Sequence, residues 1–182
     1  IRIAFVHSFY SSRQPSGENG VVDSEVAALR AAGHEVRLFA ARTDELERAL
    51  AVGDRANNAV LLKRDGRWIV QGDPTEGALL VAARKAGLEQ DALDTRFERV
   101  GEVPFSSERK LMTTIHTDAE KKERLLVFTK GAPDVLLTRC SQELVGEGRR
   151  PLAAERRAEI LKVNEELAGQ ALRTLGVAFR LL

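Results

Sequence analysis

The clearest pattern of hydrophobic and polar positions lies in the middle of the chain, where two short stretches flank a polar segment. Side chains alternate along Lys110–His116, and Leu125–Thr129 is a short apolar run. Both patterns predict β-strands, and the almost entirely polar Thr117–Arg124 predicts a solvated loop between them. If the two strands pair antiparallel, the start of the first lies beside the end of the second.

The residues that meet at this shared strand end are chemically suited to a nucleotide. Phe105 and Lys110 precede the first strand, and Lys130, Gly131 and Ala132 follow the second. An aromatic ring stacks on a base because every base has a π-face, lysines complement phosphate charge, and a glycine lets a ligand approach the backbone. The same residues also suit a surface hairpin with ordinary flanking lysines, so the pattern alone leaves both interpretations open.

The best-marked helix is predicted over Gly72–Gly87, with Gly87 as its stop. Asp73 is a suitable N-cap, Pro74 takes the first helical position, and Glu76 stands three residues after the cap, as in a capping box. Capping alone explains both carboxylates. The alternative interpretation is that one of them also faces the nucleotide and accepts a hydrogen bond from an adenine amino group.

Helices and strands are predicted in the rest of the chain as well. Thr43 or Asp44 should cap a helix that Gly53 ends, and Asp65-Gly66 should form a hairpin turn. Further helices are predicted at Val21–Ala32, Asp91–Phe97, Pro133–Cys140 and Leu152–Gly169. Further strands are predicted at Ile1–Phe9, Glu35–Ala41, Val60–Leu62, Arg67–Gln71, Glu98–Val103 and Leu172–Leu181.

Two side chains in these predicted strands carry expectations of their own. Trp68 should be a packed, half-buried ring rather than a platform for a ligand. Arg173, at the start of the last strand, is a further candidate for a phosphate contact.

Composition narrows the class of protein without changing this picture. Of the 182 residues, 43% are hydrophobic and 30% charged, as in soluble globular proteins. The net charge of +1 gives no argument for a nucleic-acid or membrane-surface partner. Cys140 is the single cysteine, which excludes an internal disulfide, and no apolar run approaches the roughly 20 residues of a membrane span.

The first predicted strand, helix and strand together predict a Rossmann-like βαβ segment over residues 1–45. Three stretches of this segment carry a family resemblance: Arg2–Tyr10, Ser16–Val22 and Leu29–Val36. They resemble the opening of family-4 glycosyltransferases of the GT-B fold. The resemblance would make His7 and Glu18 site residues of an intact enzyme, and a polar loop on a scaffold is the simpler alternative.

Four sequence blocks in the longer part of the chain stand out together by their order and spacing. They are Gln71–Leu79, Pro104–Met112, Phe128–Pro133 and Ala171–Ala178. Through these blocks residues 46–182 resemble the nucleotide-binding domain of cation-transporting P-type ATPases, in particular the calcium-pump-like branch, and Ala56–Ala59 also fits the block that precedes the first hairpin of that family. The resemblance implies an α+β fold, with a mostly antiparallel sheet flanked by helices, preceded here by the βαβ segment as a separate domain.

The same resemblance implies that the chain binds ATP and assigns roles to eight residues. Phe105 should stack on adenine, Glu76 should contact the adenine edge, and Arg173 should contact the phosphates. No residue is implied to be catalytic or to bind a metal ion. The remaining implied binding residues, which line the base and phosphate path or the floor of the pocket, are Lys110, Met112, Lys130, Gly131 and Leu175.

Motifs that this sequence lacks shape the expected activity. Phosphoryl transfer in the resembled family needs an aspartate nucleophile in Asp-Lys-Thr-Gly-Thr and a magnesium site, and neither motif is present. We therefore expect the chain to bind ATP, supplied as Mg-ATP in the parent pump, and to hydrolyse essentially none. Its expected place is a cytoplasmic part of a membrane transporter, and its expected partners are the phosphorylation and actuator domains.

Two other hypotheses remain open from the sequence. The chain is a fragment or chimera related to a GT-B glycosyltransferase that binds a sugar nucleotide, or it is a chimera that folds without ATP affinity. A second nucleotide-binding half, which the sequence does not show, would favour the first of these. A retained fold that binds no ATP would favour the second.

Overall fold

The computed structural model describes residues 2–9, 24, 27, 28, 30–32, 35–121, 124–146 and 148–182. Helices and mostly antiparallel strands are mixed along the chain, which confirms the predicted α+β class. The elements are β1 (Arg2–Phe9), β2 (Glu35–Arg42), α1 (Thr43–Arg55), β3 (Val60–Arg64), β4 (Arg67–Gln71), α2 (Pro74–Lys85), α3 (Gln90–Arg96), β5 (Arg99–Val103), β6 (Leu111–Thr117), β7 (Leu125–Gly131), α4 (Pro133–Arg139), β8 (Gln142–Val145), β9 (Gly148–Pro151), α5 (Ala154–Ala168) and β10 (Gly176–Leu181).

The chain divides into two compact units, residues 1–48 with 144–148 and residues 49–143 with 149–182. In the first unit β1 and β2 pair in parallel, from Arg2 opposite Glu35 to Phe9 opposite Arg42. Parallel pairing is what a βαβ segment requires, and residues 24, 27, 28, 30 and 31 between the strands are helical. The loop that contains Glu18 and the side chain of His7 lie outside the described part.

A four-stranded antiparallel sheet, in the order β10–β7–β6–β5, organises the second unit. Leu111 lies opposite Gly131, and Thr117 lies opposite Leu125. The predicted central hairpin is therefore confirmed, with its second strand extended to Gly131. On the other side of β7, Gly176 also lies opposite Gly131. Strands β6 and β10 therefore both begin at the end of the sheet where β7 finishes.

One face of this sheet carries the core of the second unit. Residues 112, 114 and 116 of β6 are the register partners of residues 130, 128 and 126 of β7, so all six share a face. Helix α1 places Val52 and Ala56 against Leu126 and Phe128 on that face. The Phe97 ring meets Phe128 edge-to-face, with 5.6 Å between the ring centroids. Residue 130, a lysine, therefore stands on the buried face of the sheet.

The predicted end of the helix at Gly53 was wrong, because α1 continues to Arg55. A Cβ atom at Gly53 would lie 3.3 Å from Cδ2 of Leu79 in α2. The glycine therefore serves close packing between the two helices rather than termination. By contrast, Asp65 and Gly66 both have positive φ, 49° and 75°, which confirms the predicted hairpin turn.

The expected packing of Trp68 was also wrong, because its side chain is 65% exposed. Strands β3 and β4 form a separate two-stranded sheet, and β4 is exposed at every position. Nζ of Lys63 lies 5.7 Å from the centroid of the indole ring. A two-stranded ribbon has too few neighbours to cover a large ring at this position.

The last strand begins at Gly176 rather than at the predicted Leu172. The chain after α5 first completes a turn, in which the N–H groups of Ala171 and Leu172 donate to the carbonyls of Ala168 and Leu167. Ala171 adopts a φ of 59° in this turn. Arg173 and Leu175 consequently lie in the loop that leads into β10, not in the strand.

Candidate functional site

The sheet brings most of the predicted binding residues to one end. Phe105 and Lys110 precede β6, Lys130 and Gly131 finish β7, and Leu175 directly precedes β10. Since β6 and β10 both start opposite Gly131, these residues surround the same strand end. The sequence pattern had predicted this arrangement for the first four of them through antiparallel pairing alone.

The loop between β5 and β6 presents an aromatic ring to solvent. Phe105 is 58% exposed, although rings of this size are usually covered. The loop is closed behind it, because the Lys110 N–H donates to the Ser106 carbonyl at 2.7 Å and the Arg109 N–H donates to Oγ of Ser106 at 3.2 Å. Lys110 is exposed and turns the chain into β6 with a φ of 54°. The ring is therefore free to stack on a planar ligand.

Gly131 is required by the protein backbone itself. A Cβ atom at this position would lie 2.1 Å from the carbonyl oxygen of Lys110 and 2.9 Å from Cα of Leu111. That carbonyl accepts a hydrogen bond from the Ala132 N–H at 3.1 Å. The sequence predicted that Gly131 lets a ligand approach the backbone. On the side where a Cβ atom would stand, the backbone of Lys110 and Leu111 makes this close approach instead.

Lys130 and Glu76 form an ion pair at the buried edge of the site. Nζ of Lys130 donates to Oε1 of Glu76 at 2.7 Å, and the two side chains are 7% and 16% exposed. Burial lowers the pKa of Lys130, while the hydrogen bond and charge of Glu76 oppose that shift. The register partners of Lys130 in β6 and β10, Met112 and Val177, flank it on the same face. The ammonium group can therefore reach Glu76 while its stem stays covered.

Helix α2 begins at the same edge and is capped as predicted. The Asp73 carboxylate accepts hydrogen bonds from the N–H groups of Thr75 and Glu76, and Pro74 opens the helix. The hydrogen bond from the Glu76 N–H is the largest cause of a lowered pKa at Asp73. The bond from Thr75 and the charge of Arg173 act in the same direction. Arg173 is exposed. Its guanidinium is therefore close enough to the helix start to contribute positive charge at this edge.

The second half of the predicted capping box is not formed. The Glu76 carboxylate turns away from the cap, toward Lys130 through Oε1 and toward the Asn58 N–H through Oε2. Of the three predicted floor residues, Met112 is 1% exposed, Gly131 is also buried, and Leu175 is half-buried just before β10. Met112 thus supports the site from beneath, where Lys130 packs.

The sequence family described as "P-type ATPase, cytoplasmic domain N" matches residues 45–182, well over half of the chain. This chain belongs to that family. The match begins at residue 45, so the comparisons give no support to the glycosyltransferase-like interpretation of the preceding segment.

Among the residues that the structure describes, none of the helices has both the length and the apolar character that a membrane span requires.

Curated relatives of this N domain are cation pumps several times its length. The Calcium-transporting ATPase of Bacillus subtilis (strain 168) is 43% identical over 135 residues, which cover 74% of this chain and 15% of the relative. The Probable cation-transporting ATPase F of Mycobacterium tuberculosis (strain ATCC 25618 / H37Rv) is 41% identical over 128 residues, which cover 70% of this chain and 14% of the relative. The chain therefore spans about a seventh of the length of these relatives.

Residues that the sequence did not single out individually connect Glu76 to strand β5. Nδ2 of Asn57 donates to the Glu76 carbonyl at 2.9 Å. The side chain of Asn58 bonds Glu102 and Arg99 of β5, each at 2.7 Å. The sequence signal was the Asn-Asn pair inside the family-like block at Ala56–Ala59. No local pattern shows that this pair contacts a helix that starts at residue 74.

A polar cavity of about 400 Å³ lies elsewhere in the N domain, beside the ends of α1 and α3. Several of its charged residues pair with one another: Asp54 accepts from Arg55 and Arg84, each at 2.7 Å, and Arg55 also bonds Asp94. None of the eight predicted binding residues lines it. These ion pairs join helices α1, α2 and α3 beside the cavity. In the described residues no group of histidine, cysteine or acidic side chains is arranged to hold a metal ion.

Proposed function

We propose that this N domain binds ATP at the common end of β6, β7 and β10. The observation that carries the proposal is the exposed Phe105 ring at the strand end where the Lys130–Glu76 pair is formed. The ring offers a stacking surface for adenine. A Glu76 carboxylate oxygen retains a free lone pair with which to accept a bond from the adenine amino group.

The cations around this edge support the phosphate part of the proposal. Lys110 is exposed beside Phe105, and Arg173 lies near the start of α2. Both charges can reach a flexible triphosphate outside the protein surface. Because Lys130 is paired with Glu76, its charge would act on the base and the first phosphate more than on the terminal phosphate. Met112, Gly131 and Leu175 complete the proposed floor.

The names of the relatives extend the proposal to the whole pump. In a cation-transporting ATPase, ATP bound here as Mg-ATP would be presented to an aspartate that this sequence does not contain. The chain would then contribute binding and orientation, and the chemistry would be carried out with the phosphorylation and actuator domains of the pump. This chain alone should bind ATP and release no phosphate.

Titration of the chain with ATP, followed by amide NMR, tests the proposal directly. We expect saturable shifts at residues 105, 110 and 130, and a Phe105→Ala variant that binds about 5- to 150-fold more weakly, the equivalent of about 1–3 kcal/mol for a stacked base. Trp68→Ala is the matched control, because Trp68 is an exposed ring on a separate sheet. Absence of shifts at millimolar ATP, or equal losses in both variants, would refute the proposed site.

A second candidate function rests on the first unit. The parallel pairing of β1 with β2 is compatible with a nucleotide-binding βαβ segment of glycosyltransferase type, fused as residues 1–45 to the N domain. This hypothesis predicts that a uridine diphosphate sugar shifts the amide signals of Arg2–Phe9 and leaves those around Phe105 unchanged. If only ATP produces shifts, the segment has no such role.

A further inference from the structure

Both carboxylate oxygens of Glu76 accept hydrogen bonds from other residues of the protein. Oε1 accepts from Nζ of Lys130 at 2.7 Å, and Oε2 accepts from the Asn58 N–H at 3.0 Å. The Glu76 carbonyl accepts a third bond, from Nδ2 of Asn57 at 2.9 Å. Asn57 is 5% exposed, and its own carbonyl side-chain oxygen accepts from the Ala59 N–H.

Asn58 is in turn held by two charged residues of β5. Its Nδ2 donates to Oε1 of Glu102, and its Oδ1 accepts from Nη1 of Arg99, each at 2.7 Å. Arg99 also bonds Oε2 of Glu102 at 3.2 Å and the Arg55 carbonyl at 2.8 Å. The amide side chain thus uses both of its ends, which fixes its orientation and with it the direction of the backbone N–H.

A single ion pair would leave the Glu76 carboxylate free to rotate about its last bond. The second contact, at Oε2, removes that freedom because the two oxygens are then held from different directions. A carboxylate that is already oriented loses less conformational entropy when it accepts a bond from a ligand. The Asn58 contact therefore acts on the base end of the proposed site, where Glu76 lies, and not on the exposed cations that would meet phosphate.

We propose that Asn58 is a positioning residue for nucleotide recognition, which holds the Glu76 carboxylate toward the base through a backbone N–H locked by Glu102 and Arg99. This inference rests on the proposed ATP function. It adds a connection between β5 and the base-binding carboxylate that neither the family match nor the site residues predicted from sequence include.

The test compares ATP with inorganic tripolyphosphate, which lacks the base, on the full 182-residue chain. Asn58→Ala keeps the backbone N–H but removes the side-chain bonds to Glu102 and Arg99 that orient it. We expect its affinity for ATP to be about five- to tenfold lower, comparable to the loss of one ordinary hydrogen bond. The affinity for tripolyphosphate should stay within twofold. The NMR signal of the Lys130 ammonium group should also move without nucleotide, because its partner carboxylate is no longer fixed.

A second variant guards against a folding defect at Asn58. Glu102→Ala removes the acceptor of the Asn58 side chain without changing residue 58, and should lower ATP affinity about two- to threefold with the same Lys130 shift. Glu143→Ala is the matched control, because Glu143 also pairs with two guanidinium groups, those of Arg150 and Arg156. Glu143→Ala should change neither the affinity for ATP nor the NMR signal of the Lys130 ammonium group.

The outcomes separate the two proposals. Unchanged ATP affinity and an unmoved Lys130 signal in both variants would overturn the positioning role, as would equal losses for ATP and tripolyphosphate. If the unmodified chain binds no ATP, the proposed function itself fails in the first titration, before any variant is compared, and the positioning role fails with it.

Discussion

His116 shows how a single side chain is tuned by its place on the buried face of β6. The imidazole is 1% exposed, and burial lowers its pKa from 6.5 to about 4, a shift to which the charges of Arg99 and Arg55 add. Nδ1 lies 3.1 Å from the Phe97 carbonyl, and Nε2 lies 2.9 Å from Oγ1 of Thr114. Because a carbonyl can only accept, Nδ1 carries the proton and the neutral ring accepts at Nε2.

This lowered pKa predicts that stability falls with acidification. The unfolded chain binds a proton at His116 near pH 6.5 and the folded chain only near pH 4, so stability present above pH 6.5 is lost progressively between those values. From about pH 7 to about pH 5 we expect a loss of about 2 kcal/mol in the free energy of unfolding from this residue. Urea unfolding of the chain and of His116→Gln, which cannot titrate, measures the difference.

The His116→Gln variant should show a weaker dependence on pH over that interval, because the side chain that takes up the proton is gone. Carboxylates titrate mainly below this range, so they act on both proteins alike. Parallel pH profiles for the two proteins would show that His116 is not held neutral in the folded state.

At the scale of elements, the start of β6 can lie close to the end of β7 because Gly131 has no side chain. The Lys110 carbonyl occupies the space that a Cβ atom would need, at 2.1 Å. The same carbonyl accepts from the Ala132 N–H, so the loop that carries Phe105 is tied to the strand that carries Lys130. Fold and proposed site therefore share one backbone contact.

Replacing Gly131 with alanine should separate these two strand ends. We expect Gly131→Ala to lower the free energy of unfolding by about 1–3 kcal/mol, the usual cost of overpacking, and to shift the amide signals of Lys110 and Ala132. Gly148→Ala serves as the control, because the nearest atom to its Cβ position is the Val145 carbonyl oxygen at 3.7 Å. Equal stability of both variants would show that the strand end can move apart without cost.

At the scale of the whole molecule, ATP binding should appear as stability of the second unit. A ligand that binds only the folded state adds a free energy that grows with its concentration relative to the Kd. The proposed site draws on β6, β7, β10 and the start of α2. A bound nucleotide would therefore contact segments that lie between residues 73 and 175 of the sequence, and would stabilise them jointly.

We expect ATP at ten times its Kd to raise the free energy of unfolding by about 1.4 kcal/mol. Urea unfolding followed by far-UV circular dichroism, with adenosine and tripolyphosphate as separate ligands, measures the effect and divides it between base and phosphate. Phe105→Ala at the same ATP concentration should lose most of the increase. An equal rise in that variant would place the nucleotide away from Phe105.

The sequence by itself determined the central hairpin, the capped helix after Asp73 and the position of Phe105 and Lys130 at one end of the sheet. These features follow from local rules: alternation sets the strands, cap chemistry sets the helix start, and antiparallel pairing places the ends of a hairpin side by side. The same rules failed for Gly53 and Trp68, because helix packing and ribbon size decide what surrounds those residues.

Only the tertiary structure decided what the Glu76 carboxylate contacts. The capping-box pattern directs it toward the helix start, yet it bonds Lys130 and the Asn58 N–H instead. These partners stand 54 and 18 residues away along the chain. A buried ammonium group without a counter-charge is far more costly than an incomplete cap. The pairing that removes the larger cost is therefore formed, and it depends on a contact that the spacing of residues along the chain cannot show.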